Sequence, residues 1–336
     1  MKAIVVGGSG YTGGELLRIL ARHPRVEKIT TTSRTYEGEP VTKTHPNLEG
    51  VCEIMYEKYR EGVDAELAFL ALPHGQSMDY VPGLLENGVK VVDMSADYRL
   101  ADENLYEKYY VKHRNPELLG KAVYGLPEIN RGKIKKAELV ANPGCYSSAA
   151  ILSILPMKKY PGQVDKTKIV VDAKSGTSGA GAKPTHLLQH ANVEGNMIPY
   201  KVTGHRHEPE INHILGEYIH GVRVSFTPQL VPIVRGILSC AHIFCDAQGL
   251  DLKAHYRKYY GGEKFVRVVE TATVKDVAYS NYCNISVHQD PNETRVVVVS
   301  AIDNLIKGAA GQAVQNMNLM MGWDESTSVD DLPYNP

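Results

Sequence analysis

Three short stretches of the 336-residue chain carry residue types able to do chemistry. The first is Gly7-Gly8-Ser9-Gly10-Tyr11-Thr12-Gly13, which contains Gly8-x-Gly10-x-x-Gly13. Glycines at this spacing permit a tight turn and let backbone N–H groups approach a pyrophosphate, whose charge a helix N-terminus favours. Residues 9 to 13, Ser9, Gly10, Tyr11, Thr12 and Gly13, together with Gly8, are therefore the expected pyrophosphate cradle. The second strand of such a unit ends at the adenosine ribose, where an acid selects NAD and Arg accommodates a 2′-phosphate. Here that position reads Thr32-Ser33-Arg34, with no acid until Glu37. Ser33 and Arg34 point to NADP as the cofactor; the alternative is a solvated loop charge at Arg34.

The second stretch is Asn142-Pro143-Gly144-Cys145-Tyr146-Ser147-Ser148, a sharp turn between a strand over 138–141 and a helix. A Cys at a helix N-terminus feels the positive end of the dipole, which favours the thiolate. Cys145 is the expected nucleophile. The other cysteines, Cys52, Cys240, Cys245 and Cys283, sit in apolar or β-rich runs and read as small core residues. The third stretch, Gly204-His205-Arg206-His207-Glu208-Pro209-Glu210, supplies the base a thiol needs. On a strand, His205 and His207 would point to opposite sides, so one of them is expected to face the sulfur. No supporting Cys or His spacing accompanies the pair apart from His213, so no metal is expected. A small-residue loop, residues 175–181, suits a lid or a phosphate contact.

These groups need elements to hold them. Residues 2–6, 28–33, 65–72 and 89–94 read as buried strands alternating with helical patterns, which implies a parallel sheet covered on both faces. After Cys145 the chain turns β-rich, with strands expected at 168–173, 222–227, 230–245, 265–273 and 295–302. The fold class is α/β: a Rossmann-type dinucleotide-binding domain plus an α+β domain with a mainly antiparallel sheet. The boundaries expected are 1–144 with 304–336 for the first and 145–303 for the second. A helix over 304–320 packs back, and an irregular polar tail follows. Lys plus Arg is 37 and Asp plus Glu 38, a net charge of -1 that gives no bias toward nucleic acid or anionic membrane. No run of 18 apolar residues suggests a membrane span. Five cysteines without CxxC suit a reducing, cytoplasmic compartment.

Taken together, the GGSGYTG opening, Ala71-Leu72-Pro73-His74-Gly75, the 92–99 segment VDMSADYR, Tyr124-Gly125-Leu126-Pro127-Glu128, NPGCY, GHRHEPE and Asp303-Asn304-Leu305 resemble the N-acetyl-γ-glutamyl-phosphate reductase family of arginine biosynthesis. That family is related to aspartate-semialdehyde dehydrogenase. The motifs run in order from residue 7 to residue 305. Where the family usually has Pro-Thr or Ala-Thr after Cys-aromatic, this chain has Ser147-Ser148.

The resemblance implies NADPH-dependent reductive dephosphorylation of an acyl phosphate through a Cys145 thioester, with proton transfer at His205 or His207. It further implies a phosphate contact at Arg99, an acyl-oxygen contact at Asn142 and a nicotinamide contact at Asn304. Arg235 is assigned to a substrate carboxylate, with a structural salt bridge as its alternative. A homodimer or homotetramer is expected. A sister enzyme reducing 2-aminoadipate or glutamate phosphate on a small acidic carrier protein shares these motifs. Lys133, Lys135 and Lys136, or Lys158 and Lys159, are the cations that would meet such a carrier. Aspartate-semialdehyde dehydrogenase is disfavoured, because Arg235-Gly236-Ile237 stands where its His is expected. A non-catalytic NADP sensor would leave Cys145 and the HRHEPE segment unexplained.

Overall fold

The computed structural model describes residues 1–292 and 294–334. The described residues fall into two compact units: Met1–Gly144 with Ala309–Asp330, and Cys145–Gly308 with the residues from Asp331. The chain thus re-enters the first unit at Ala309 rather than at Asn304, and the end of the polar tail groups with the second unit. The last two residues of that tail lie outside the described residues.

The first unit is built on apolar runs buried on both sides, as parallel strands under flanking helices must be. Its strands are β1 (Lys2–Val6), β2 (Lys28–Thr32), β3 (Tyr56–Glu57), β4 (Leu67–Leu70), β5 (Lys90–Asp93), β6 (Val123–Tyr124) and β7 (Leu139–Ala141). They form one parallel sheet in the order β3-β2-β1-β4-β5-β7-β6, so the sequence reverses direction between β1 and β4. Ligands of such sheets bind at the carboxyl ends of the strands near that reversal. Helix α1 (Tyr11–Leu20) follows β1 directly, and α2 (Val81–Glu86), α3 (Glu103–Tyr109) and α4 (Pro127–Ile134) follow later strands. The C-terminal helix Gly311–Met320 is buried along its whole length and packs on α1, α4 and β5 of the same unit. A π-helical turn over Ile306–Ala310 precedes it, so the helical pattern expected from residue 304 is not one regular helix.

In the second unit the strands are β8 (Val164–Ser175), β9 (Ile198–Pro199), β10 (Val224–Leu230), β11 (Ile237–Cys245), β12 (Val266–Val268), β13 (Cys283–Gln289) and β14 (Arg295–Ile302). The sheet order is β12-β13-β14-β11-β8-β10-β9, and pairing is antiparallel except at β12–β13 and β8–β10. The mainly antiparallel sheet is thus present. Its helices are α5 (Cys145–Ile154), α6 (His190–Val193), α7 (His207–Gly216) and α8 (Leu252–Tyr259).

Three local readings need correction. The apolar stretch 230–245 is two strands, not one. It breaks at residues 231–236, where Pro232 lacks a ladder donor and Gly236 takes φ +110. Of the strand expected at 265–273 only Val266–Val268 forms. Strand β13 went unread, because its Asn and His positions mask the apolar alternation of Cys283, Ile285 and Val287.

Candidate active site and cofactor cradle

The glycine loop departs from β1 at Val6, opposite Thr32 of β2. The amides of Gly7 and Gly8 both donate to the Thr32 carbonyl, at 3.2 and 3.0 Å. Gly7 adopts φ +86, and a β-carbon there would lie 2.6 Å from the Ala71 carbonyl oxygen. A β-carbon on Gly8 would collide with Thr31 Oγ1 at 2.0 Å, and one on Gly13 would sit 2.6 Å from Gly8 Cα. Gly10 by contrast faces open space. It is the N-cap of α1 and lends that helix no side-chain acceptor. The loop is therefore close-packed behind and open in front, with unopposed helix-start amides: a cradle for a phosphate.

Beside it the Ser9 and Ser33 hydroxyls are 3.1 Å apart, and Ser33 Oγ also accepts from the Tyr36 amide at 3.2 Å. Arg34 is exposed and donates to Gln76 Oε1 at 2.6 Å. Tyr11 is exposed and Thr12 half-buried. A hydroxyl pair and a guanidinium, with no carboxylate at the end of β2, fit the 2′-phosphate of NADP rather than a bare ribose.

The turn into Cys145 is riveted at Asn142, which is 1% exposed. Its amide donates to the Asp93 carbonyl at 2.7 Å, and its carbonyl accepts from Arg99 Nε at 2.8 Å. Its side-chain Nδ2 donates to the Ala309 carbonyl at 3.1 Å, while Oδ1 accepts from Asn316 Nδ2 at 3.0 Å. Every polar group of Asn142 thus has a protein partner. These bonds give Asn142 a structural role in the turn. Arg99 is buried too, and Nη2 donates to the Met94 carbonyl at 2.9 Å. It ties two strand ends together. Asp93 itself is fully buried; burial first, then the Asp97 carboxylate, push its carboxyl up to about 6.

Cys145 is the first residue of α5 and is half-buried, whereas the nine residues after it are buried. The other cysteines do behave as fillers: Cys52, Cys245 and Cys283 are buried and Cys240 half-buried. A β-carbon placed on Gly308 would lie 2.7 Å from Cys145 Cβ, so the π-helical turn passes directly against Cys145.

The histidine pair does not sit on a strand. His205 precedes α7 and His207 opens it. Both are buried, and both rings pack on Tyr146, the residue next to Cys145, with centroids at 5.8 and 5.6 Å. The opposite-sides expectation fails because a helix start replaces strand alternation. The His207 amide donates to His205 Nδ1 at 3.2 Å, which leaves the His205 proton on Nε2. Burial, then the charges of Arg206 and Lys201, hold His205 down at about 3. It is a neutral imidazole at working pH. Tyr200, which the sequence reading missed, donates to the Tyr146 hydroxyl at 3.3 Å. Burial pushes its phenol up to about 12, and the Cys145 sulfur adds to that shift.

Arg235 pairs with buried Asp303 at 3.6 Å and stacks on Tyr279, its guanidinium 4.7 Å from the ring centre. The salt-bridge alternative is therefore the geometry found. Asn304 accepts from the Gly236 amide at 2.6 Å and donates to Ser178 Oγ at 2.9 Å. Its amide thus links Gly236, at the end of the 231–236 break, to the 176–181 loop. Lys158 lies over the rings of Tyr218 and Tyr259, and Lys159 over Tyr160, while Lys133, Lys135 and Lys136 are exposed at the end of α4.

A dinucleotide cradle in the first unit, and in the second a half-buried thiol at a helix start with a buried histidine pair on the adjoining Tyr146, fit one class: NAD(P)-dependent oxidoreductases of acyl phosphates and aldehydes. The comparisons agree. Residues 2–137 match the family model described as the semialdehyde dehydrogenase NAD binding domain, and residues 145–304 its dimerisation domain. In fold the chain resembles aspartate semialdehyde dehydrogenase II from Vibrio cholerae (TM-score 0.72, 18% identity, 96% of this chain and 98% of that one). It also resembles aspartate semialdehyde dehydrogenase with NADP from Candida albicans (TM-score 0.71, 15% identity, 95% and 98%). Among curated relatives, the N-acetyl-gamma-glutamyl-phosphate reductase of Archaeoglobus fulgidus is 47% identical across 100% of both chains. Those of Methanosphaera stadtmanae and Methanocaldococcus jannaschii are 47% and 46% identical, each over 99% of this chain and 98% of the relative. The chain belongs to the N-acetyl-gamma-glutamyl-phosphate reductase family.

Proposed function

We propose that this protein reduces N-acetyl-glutamyl 5-phosphate to N-acetyl-glutamate 5-semialdehyde and phosphate, using NADPH, as a step of arginine biosynthesis. The observation that carries the reading is Cys145 at the first residue of α5, behind a turn held at every polar group of Asn142. The Cys145 sulfur attacks the acyl carbon, the carbon–oxygen bond to phosphate breaks, and a thioester remains. NADPH supplies the hydride that brings the thioester to the aldehyde level. The carbon–sulfur bond then breaks and returns the thiolate. His207 carries the protons of activation and collapse, and His205, whose Nδ1 accepts from the His207 amide, holds it in place. Arg99 and Asn142 hold the nucleophile in position, and Arg235 and Asn304 hold the loops around it. Gly8 to Gly13, with Ser33 and Arg34, bind the cofactor.

The protein acts as a homo-oligomer in the cytoplasm, where the thiol stays reduced. A second copy covers the sheet face opposite α5, where Val170 and Phe244 are exposed and Cys240 and His242 half-buried. The matched model's description as a dimerisation domain supports this. The carrier-linked and sensor alternatives lose support, since the relatives above are reductases of the N-acetyl substrate by name.

The test is the reverse reaction with NADP, phosphate and N-acetyl-glutamate semialdehyde, followed by NADPH absorbance. Phosphate-dependent reduction that vanishes in Cys145→Ala is the expected result. A wild type with no turnover while it binds NADP overturns the substrate assignment.

A further inference from the structure

We propose that His45 is a positioning residue for the dinucleotide: it fixes the Gly8 carbonyl and thereby aims the amide of Ser9. The inference rests on the NADP reading above. His45 lies outside the glycine loop, between two short 3-10 turns, Val41–Lys43 and Pro46–Leu48. Val41 and Leu48 are buried and anchor the segment. The His45 amide donates to the Val41 carbonyl at 2.9 Å, and the Leu48 amide donates to the His45 carbonyl at 3.0 Å, so the base of the side chain is fixed. The residue is 8% exposed, and its Nε2 lies 2.8 Å from the Gly8 oxygen. A carbonyl oxygen only accepts, so Nε2 is the donor.

A planar trans peptide points its carbonyl and its N–H in opposite directions. Pinning the Gly8 carbonyl therefore turns the Ser9 N–H away from His45. The rest of Gly8 is already fixed, its amide on Thr32 and its α-carbon against Thr31 and Gly13. His45 closes the last freedom of this peptide, and an amide already aimed costs less ordering when an anion binds.

The same contact explains Gly14, which the Gly-x-Gly-x-x-Gly pattern does not require. A β-carbon at Gly14 would lie 2.5 Å from His45 Cε1 and 2.6 Å from Nδ1. Gly14 is the space the imidazole occupies.

The experiment titrates NADPH, by its own fluorescence, into wild type, His45→Leu, His45→Gln, Gly14→Ala and the Gly14→Ala/His45→Ala pair with its His45→Ala parent. Thermal unfolding of each variant checks the fold. Loss of one buried hydrogen bond predicts a roughly tenfold weaker Kd in His45→Leu. His45→Gln, whose Nε2 reaches as far as the imidazole's, should recover most of it. Gly14→Ala should weaken binding in the wild type and cost nothing more once His45 is Ala. In turnover, KM for NADPH should rise in His45→Leu with kcat within about twofold of wild type, since the bond fixes binding rather than chemistry. A folded His45→Leu that binds NADPH like the wild type overturns the inference, as does a Gln variant no better than Leu. If His45→Leu does not fold, additive effects of Gly14→Ala and His45→Ala overturn it. A wild type that binds no NADPH overturns the cofactor reading and this inference with it.

Discussion

Asn316, on the C-terminal helix, donates to the side-chain oxygen of Asn142 at 3.0 Å and to the Gly125 carbonyl at 2.8 Å. One amide nitrogen thus reaches two loops at the carboxyl ends of neighbouring strands. It does so 174 residues downstream of the turn that leads into Cys145. Replacing it with Ala leaves a fully buried Asn142 with an orphaned acceptor, which costs about 1–3 kcal/mol. Asn316→Ala should lower stability to urea by that amount and reduce kcat, while NADPH affinity stays unchanged. Equal loss of kcat and cofactor binding would mean that the whole unit loosens, not the turn alone.

The buried His205 imidazole contributes to the acid side of the stability profile. Its ordinary value is 6.5, and burial holds it at about 3 in the fold. Between those limits the unfolded chain binds the extra proton, so stability is full above pH 6.5 and falls as pH drops toward 3. His205→Gln removes that titration and should flatten the acid limb by on the order of a few kcal/mol. Urea unfolding at several pH values measures it; parallel limbs in the two proteins would contradict the burial argument.

A 2′-phosphate contact at Arg34 is open to direct test. Charge-assisted bonds to a phosphate are worth about 1.5–3 kcal/mol, or roughly 10–100-fold in affinity. Arg34→Ala should raise KM for NADPH by that factor and leave KM for NADH near its starting value. Steady-state kinetics with both cofactors reads the ratio directly, and an unchanged ratio would make Arg34 a plain surface charge.

Gly308 is the back wall of Cys145. Alanine there would press on Cys145 Cβ at 2.7 Å, with Cys145 Cα at 3.2 Å behind it. Overpacking of this kind costs about 1–3 kcal/mol. Gly308→Ala should therefore reduce kcat and change the rate at which iodoacetamide alkylates Cys145. Wild-type alkylation and turnover would show that the wall yields freely.

The sequence made the strand–glycine loop–helix unit legible because strand, loop and helix are written consecutively, even though Gly7 and Gly8 are required by distant neighbours, Ala71 and Thr31. Cys145 was legible for the same reason, since Pro143-Gly144 and the helix after it are written consecutively. The partners of Asn142 were not. Its four bonds run to residues 93, 99, 309 and 316, and no spacing rule connects those positions. His205 and His207 were placed on the wrong kind of element, since Glu208-Pro209-Glu210 after them is a helix-opening pattern and not a strand. The loop roles of Arg235 and Asn304 depend on contacts with Asp303, Ser178 and Gly236, which only the folded second unit supplies.

The path of the chain has a consequence for synthesis. Domains generally fold in the order in which they leave the ribosome. Here the first unit lacks Ala309–Asp330 until translation is nearly finished. The second unit can assemble its sheet while the first still lacks its last helix. The final brace on the Cys145 turn therefore arrives late, and a chain truncated before Asn316 would carry the nucleophile without it. Such a fragment would display every motif of the enzyme and none of its turnover.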